Sequence, residues 1–161
     1  MAFLSSLDIG GSALSAERLR VDIINQNIAN QNTYNTADGD PYRRQLVVFQ
    51  EKKTFKETLS RFEQEAKSSY SRGTYYLARK EKYQSAGVEA VRVTEDMSPF
   101  IPVYDPNNPL ADENGYIYKS NVNNTKEQID LMVAQRAYEA NVAAIAAVKA
   151  MATKAMSLTG R

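Results

Sequence analysis

Apolar residues gather into stripes at the two ends of the chain. Leu7, Leu14, Val21 and Ile28 fall seven residues apart, and Ile24 follows Val21 by three. These positions share one face of a helix, which Ala13, Leu19 and Ile23 widen or flank. Glu17 stands where Ile24 stands one heptad later, so the seam is imperfect. Gly10 and Gly11 weaken helix near its start, and the first nine residues are expected to bend away or to order only on contact. Asn30 to Thr33 reads NQNT, poor helix formers that tolerate turns, and predicts the helix end.

The closing stripe is longer. Val133, Ala137, Ala140, Ala144, Val148, Met151, Ala155 and Leu158 recur every three or four residues. The pattern predicts a helix from about Thr125 to Leu158, started by a capping box of Thr125 with Gln128 or Asn124 with Glu127. Such a helix spans roughly 50 Å, a length that suits a coiled coil or a packed helical wall. Ten of the 22 residues from Ala134 to Ala155 are alanine. Small side chains let helix backbones approach closely, and the stripe is wider than one partner helix covers. Part of it should therefore meet other protein. The expected packing sets Leu14, Val21 and Ile28 against Ala137, Ala144, Val148 and Met151.

The middle of the chain changes character. Residues 34–42 form a turn-rich loop, and 45–49 (QLVVF) predict a strand. Residues 52–66 read as a short charged helix with Phe55, Leu59 and Phe62 on one side. Residues 74–79 and 88–94 are strand candidates, the second alternating through Val88, Ala90 or Val91, and Val93. Four prolines in residues 99–109 exclude a helix or a central strand there. Asn114-Gly115 predicts a tight hairpin turn beside a short strand, Tyr116 to Tyr118.

Composition narrows the function classes. The chain has 161 residues, 43 % apolar, with a net charge of about +1; this suits one folded domain. Cysteine and histidine are both absent, which excludes disulfides, thiolate chemistry and the common zinc ligand sets. The easiest general base near neutral pH is missing too. No phosphate loop, dinucleotide fingerprint or nucleophile elbow occurs, so no cofactor is expected. No apolar run is long enough for a membrane span, and the N-terminus is not a conventional signal peptide. These grounds alone point to the cytoplasm. Asp105, Asp112 and Glu113 with Asn107, Asn108 and Asn114 lack the order of a calcium loop and read as ordinary loop chemistry. Residues 43–82 hold eleven Lys or Arg against five Asp or Glu, a thin excess that favours a solvated or protein-binding surface over nucleic acid. Asparagines at 25, 27, 30, 32 and 35 fit either a frayed helix end or side chains that bond backbone and fix register.

Two motifs carry a resemblance. Residues 14–33, with Asn27-Ile28-Ala29-Asn30 and then Asn32-Thr33, resemble the N-terminal signature of the axial proteins of the bacterial flagellum, the rod and hook family. Residues 129–156, with Arg136-Ala137-Tyr138-Glu139-Ala140-Asn141 at their centre, resemble the C-terminal signature of the same family. Pro41-Tyr42-Arg43-Arg44 before Val47-Val48-Phe49 is similar to its short proximal rod members. So is Val103-Tyr104-Asp105-Pro106 with Pro109, Ala111-Asp112 and Asn114-Gly115-Tyr116. The paired glycines usual before the Pro-Tyr motif are here Gly39-Asp40, and a positive φ at residue 40 would cost more for Asp than for Gly.

The resemblance implies an α+β fold. Long N- and C-terminal helices would pack as a coiled-coil-like inner domain (residues 1–33 and 121–161), with a small β-rich outer domain between them (34–120). It implies a structural subunit of the proximal rod, polymerised around the protein-export channel and transmitting motor torque, with no catalysis. Partners would be copies of itself, other proximal and distal rod proteins, the rod-base adaptor and the flagellar export gate, near peptidoglycan, with no nucleic acid and no membrane insertion. The location would be the periplasmic rod of the basal body, reached by export without a cleaved signal peptide. The expected assembly interface comprises Leu14, Val21, Ile24, Ile28, Asn30, Asn32, Arg136, Tyr138, Asn141, Ala144, Val148, Met151 and Ala155. The alternative from the residues alone is a non-catalytic helical binding module in the cytoplasm.

Overall fold

The computed structural model describes residues 2–37, 39–52, 59 and 86–159. The order of elements is α1 (Ala2–Ala29), β1 (Gln45–Glu51), β2 (Val88–Glu95), β3 (Ile101–Tyr104), β4 (Tyr116–Lys119) and α2 (Asn124–Thr159). The fold is α+β, with two long terminal helices and two small antiparallel sheets between them. The charged helix expected at 52–66, apart from Leu59, and the strand expected at 74–79 lie outside the described residues.

The helices run antiparallel. Gly10 of α1 lies against Ile145 of α2, and Asn27 bonds Glu127. Along α1 the positions Gly10, Leu14, Glu17, Val21, Ile24 and Ile28 repeat at three and four from that first contact, and all are at least half-covered. On α2 the covered positions are Glu127, Asp130, Leu131, Ala134, Ala137, Asn141, Ile145, Val148 and Ala152. They follow the same spacing, which is the geometry of a helix pair meeting along a heptad seam.

Two expectations change here. The helix does not bend at its glycines: α1 is continuous from Ala2 through Gly10 and Gly11. A Cβ on Gly10 would stand 2.6 Å from the Ile145 side chain, so glycine serves close approach rather than a bend. The second change is one of phase. Ala144 and Met151 are exposed, Met151 to 64 %. Of the expected set Ala137 and Val148 are covered, the seam continues through Asn141, Ile145 and Ala152, and Val133, Ala140, Ala144 and Met151 are exposed. Periodicity located α2 well but could not tell which of two apolar faces meets α1.

The other side of α1 carries the strands. Ser12 accepts a hydrogen bond from the Val88 amide at 3.1 Å, while Ile23 and Ile24 share a pocket with Leu46, Val47 and Phe49. β1 and β2 pair from Gln45↔Glu95 to Glu51↔Val88, with a bulge opposite Val48/Phe49 that skips Val91. Val88, Ala90 and Thr94 are half-buried, and Val91 and Val93 are exposed. The bulge is why a simple alternation misplaces Val93. β3 and β4 pair from Ile101↔Lys119 to Tyr104↔Tyr116. Pro102 is tolerated because a strand of a two-stranded sheet always has an open edge.

The tight turn at Asn114-Gly115 closes onto Asp112, whose carboxylate accepts from the amides of Asn114 and Tyr116. Gly115 has φ 79°. The hairpin itself is wider than two residues, because β4 pairs across residues 105–115 with β3. Asp112 thus caps its turn, while the Asp105 carboxylate accepts from the Asn108 side chain at 3.4 Å across a turn closed by the Asn108 amide on the Asp105 carbonyl. Gly39 takes φ 87°, and Asp40 is not left-handed, so the unusual Gly39-Asp40 pair carries no strain at Asp.

Candidate functional site

Two features stand out: a buried polar clasp where strands and helices meet, and the outward face of α2. The clasp begins with Asn27, which is 1 % exposed. It lies on the covered side of α1 between Ile24 and Ile28, where an apolar residue would be ordinary. Its Nδ2 donates to the Gln45 carbonyl at 2.8 Å and to Glu127 Oε2 at 3.1 Å. Its Oδ1 accepts from the Gln45 amide at 2.9 Å and from the Tyr42 hydroxyl at 3.0 Å. A carboxamide has two donors and two acceptor positions, and all are used.

Glu127 sits in the first turn of α2 and is fully buried. Its Oε1 accepts from Arg44 Nε at 2.6 Å. Arg44 also donates through Nη2 to Asp130 at 3.1 Å, and its Nη1 lies 3.7 Å from Asp96. One guanidinium therefore reaches carboxylates on α2 and beyond the end of β2, a reach that its planar fork of donors permits. Asn121 completes the set: it accepts from the Arg44 amide at 2.8 Å and donates to the Asp96 carbonyl at 2.9 Å.

Electrostatics follow from these contacts. The Asp96 carboxyl is held below its ordinary range, chiefly by hydrogen bonds from the Ser98 hydroxyl and amide, with Arg44 adding to the effect. The Tyr42 hydroxyl is pushed up, first by burial and then by the charges of Glu127 and Glu95. The cap of α2 also differs from the expected box. Asn123 accepts from the Lys126 amide at 3.1 Å, placing the cap one residue earlier. Glu127 is thereby left to face Arg44.

The expected interface residues divide into groups. Leu14, Val21, Ile24, Ile28, Asn141 and Val148 lie within or beside the seam. Arg136, Tyr138, Ala144, Met151 and Ala155 are exposed on α2. Asn30 bonds the Gln26 carbonyl and receives the Thr33 hydroxyl, closing the end of α1; Asn32 is exposed. Tyr138 lines an open groove of about 510 Å³ with Arg18, Val21, Gln135 and Glu139. Arg44, Glu127, Asp96 and Asn121 were not singled out as site residues. Glu127 left a signal, a carboxylate in the heptad of Ala134, Asn141 and Val148. Arg44 left none, because its partners are remote in sequence.

Known proteins match along both helices. The family described as flagella basal body rod protein matches residues 7–35, and that described as flagellar basal body rod FlgEFG protein C-terminal matches residues 113–158. The flagellar basal-body rod protein FlgC of Bacillus subtilis is 37 % identical over 98 % of this chain and 99 % of its own. Those of Borreliella burgdorferi and Salmonella typhimurium are 33 % and 35 % identical, each over 98 % of both chains. The chain belongs to the FlgC family of flagellar basal-body rod proteins. It is a structural subunit of the basal-body rod. Both family patterns meet in the clasp: Asn27 lies in the first, Glu127 and Asp130 in the second. Arg44 falls between them.

Proposed function

We propose that this rod subunit builds the proximal rod through its helix pair. Residues 1–33 and 121–161 form the inner domain, which stacks helically around the export channel, and residues 34–120 form the outer one. The carrying observation is the exposed face of α2 flanking the seam, where Ile129 is 57 %, Val133 50 %, Met151 64 % and Leu158 72 % exposed. A contiguous apolar face of this kind on a helix already paired along its other side needs a further protein partner. Ala140, Ala144 and Ala147 lie on the same face and allow a neighbouring helix close approach. The expected occupants are copies of this chain and other proximal and distal rod proteins, with the rod-base adaptor and export gate at the base, near peptidoglycan. The role is mechanical, torque passing through shared interfaces, and it involves no catalysis and no cofactor. The subunit reaches the periplasmic rod by export without a cleaved signal peptide.

Ala144→Glu tests the reading. Ala144 is exposed, so the variant should keep the fold and be exported while failing to enter the rod, and cells should lose motility. Normal swimming, with the variant present in isolated basal bodies, would remove Ala144 from the interface.

A further inference from the structure

We infer that Arg44 is the positioning residue of this subunit: by neutralising buried Glu127 it makes closure of the α1–α2 pair conditional on docking of the strand segment. The inference goes beyond the proposed assembly and does not depend on which faces meet neighbours.

Glu127 is fully covered and lies at the beginning of the α2 seam. Of its two oxygens, one is held by α1 through Asn27 and the other by Arg44 at 2.6 Å. An amide partner does not compensate a buried charge; a cation does. Among the described residues Arg44 is the cation bonded to Glu127. Helix α1 and helix α2 alone would therefore bring together Asn27 and a carboxylate with no bonded counter-charge, since Arg20 of α1 pairs with Glu17 instead. Arg44 reaches Glu127 from the same segment whose Tyr42 and Gln45 bond Asn27. The Arg44 amide and carbonyl are fixed as well, by Asn121 and by the Asp96 amide. Strand register, loop and helix pair thus meet at one residue.

Around the guanidinium stand Asp130 and Glu127 from α2, and Asp96 after β2. Arg20 of α1 lines the same cavity. Glu95 and Glu127 act on Tyr42, and Lys126 acts on Asp96. Removing Arg44 leaves an acidic group that is relieved by taking up protons, so the variant should fold better in mild acid. A residue that merely fills space would not produce that reversal.

The test uses the full-length chain carrying Arg44→Met, unfolded with urea at about pH 7.5 and about pH 5. The midpoint should drop by roughly 1–2 M at the higher pH and recover in part at the lower one. Adding Glu127→Gln to Arg44→Met should remove most of that pH dependence. Arg44→Lys keeps the charge without the fork; it should stay folded with a reduced midpoint and show no recovery in acid. If Arg44→Met is unfolded at both values, acid-induced recovery of helical circular dichroism in the Arg44→Ala chain replaces the midpoint, and no recovery overturns the inference. So does an Arg44→Met profile parallel to the parent, or a double variant as pH-dependent as the single one.

Discussion

The two ends of the helix pair are built on opposite terms. At the clasp end, where α1 finishes and α2 begins, polar side chains are buried and matched within the chain. At the far end, where α1 begins and α2 finishes, apolar side chains stand in the open: Leu4 is 56 %, Met151 64 % and Leu158 72 % exposed. Among the described residues the buried apolar set is small, Ala16, Ile24, Ile117, Val122 and Ala134, and most of it belongs to the clasp half. Hydrogen bonds and a buried ion pair are directional, so they specify one arrangement within a single chain. Apolar faces are less selective and can wait for a neighbour. A subunit that must exist first alone and then in a polymer benefits from having each kind of contact at a different end.

The strongest way to break the contrast is at Asn27. Asn27→Ala leaves Gln45 with an unpaired amide and carbonyl, and removes a partner from Tyr42 and Glu127. At about 1–3 kcal/mol for each buried group left unsatisfied, the loss is expected to reach about 3 kcal/mol or more by chemical denaturation. A loss below about 1 kcal/mol would mean that water replaces the amide and that the clasp is not dry.

A smaller effect is expected midway to the open end. Gly10→Val puts a branched side chain where even a Cβ lies 2.6 Å from Ile145. Overpacking of about 1–3 kcal/mol should outweigh the gain of under about 1 kcal/mol in helix propensity. Thermal unfolding decides this, and a raised midpoint would show that the helices separate at little cost there.

The smallest effect is that of pH. Asp96 is held below its ordinary value of 3.8, so its contribution is complete above that value and is lost as pH falls through the lowered one. Tyr42 is raised above 10.0, so its contribution is complete below pH 10.0 and is lost as pH climbs through the raised one. The parent chain should therefore show a stability plateau bounded by acid and by alkali. Asp96→Asn should weaken the acid edge, and Tyr42→Phe the alkaline edge. A Tyr42→Phe curve identical to the parent above pH 10.0 would remove the tyrosine from the account.

Much of this was legible in the residues. Heptad spacing and the lack of glycine or proline before Gly160 predicted α2 to within about a residue at each end. NQNT marked the end of α1, and the runs at 45–49 and 88–94 became β1 and β2. The asparagine cluster split: Asn27 bonds strand backbone, as the sharper reading required, while Asn25, Asn32 and Asn35 are exposed. What stayed hidden had two causes. An alanine-rich helix presents two faces of similar polarity, so periodicity does not choose the inner one. The clasp joins Arg44 to Asp96, Glu127 and Asp130, and contacts between residues so far apart leave no local pattern.

One carboxamide leads to a last consequence. All four hydrogen-bonding positions of Asn27 are occupied by groups of fixed polarity. Aspartate has the acceptors without the donors, glutamine carries its amide one methylene further out, and leucine has neither function. No other coded side chain reproduces the set, so every replacement leaves at least one of these groups without its partner. The same holds after synthesis: hydrolysis of this amide would set a second carboxylate against Glu127.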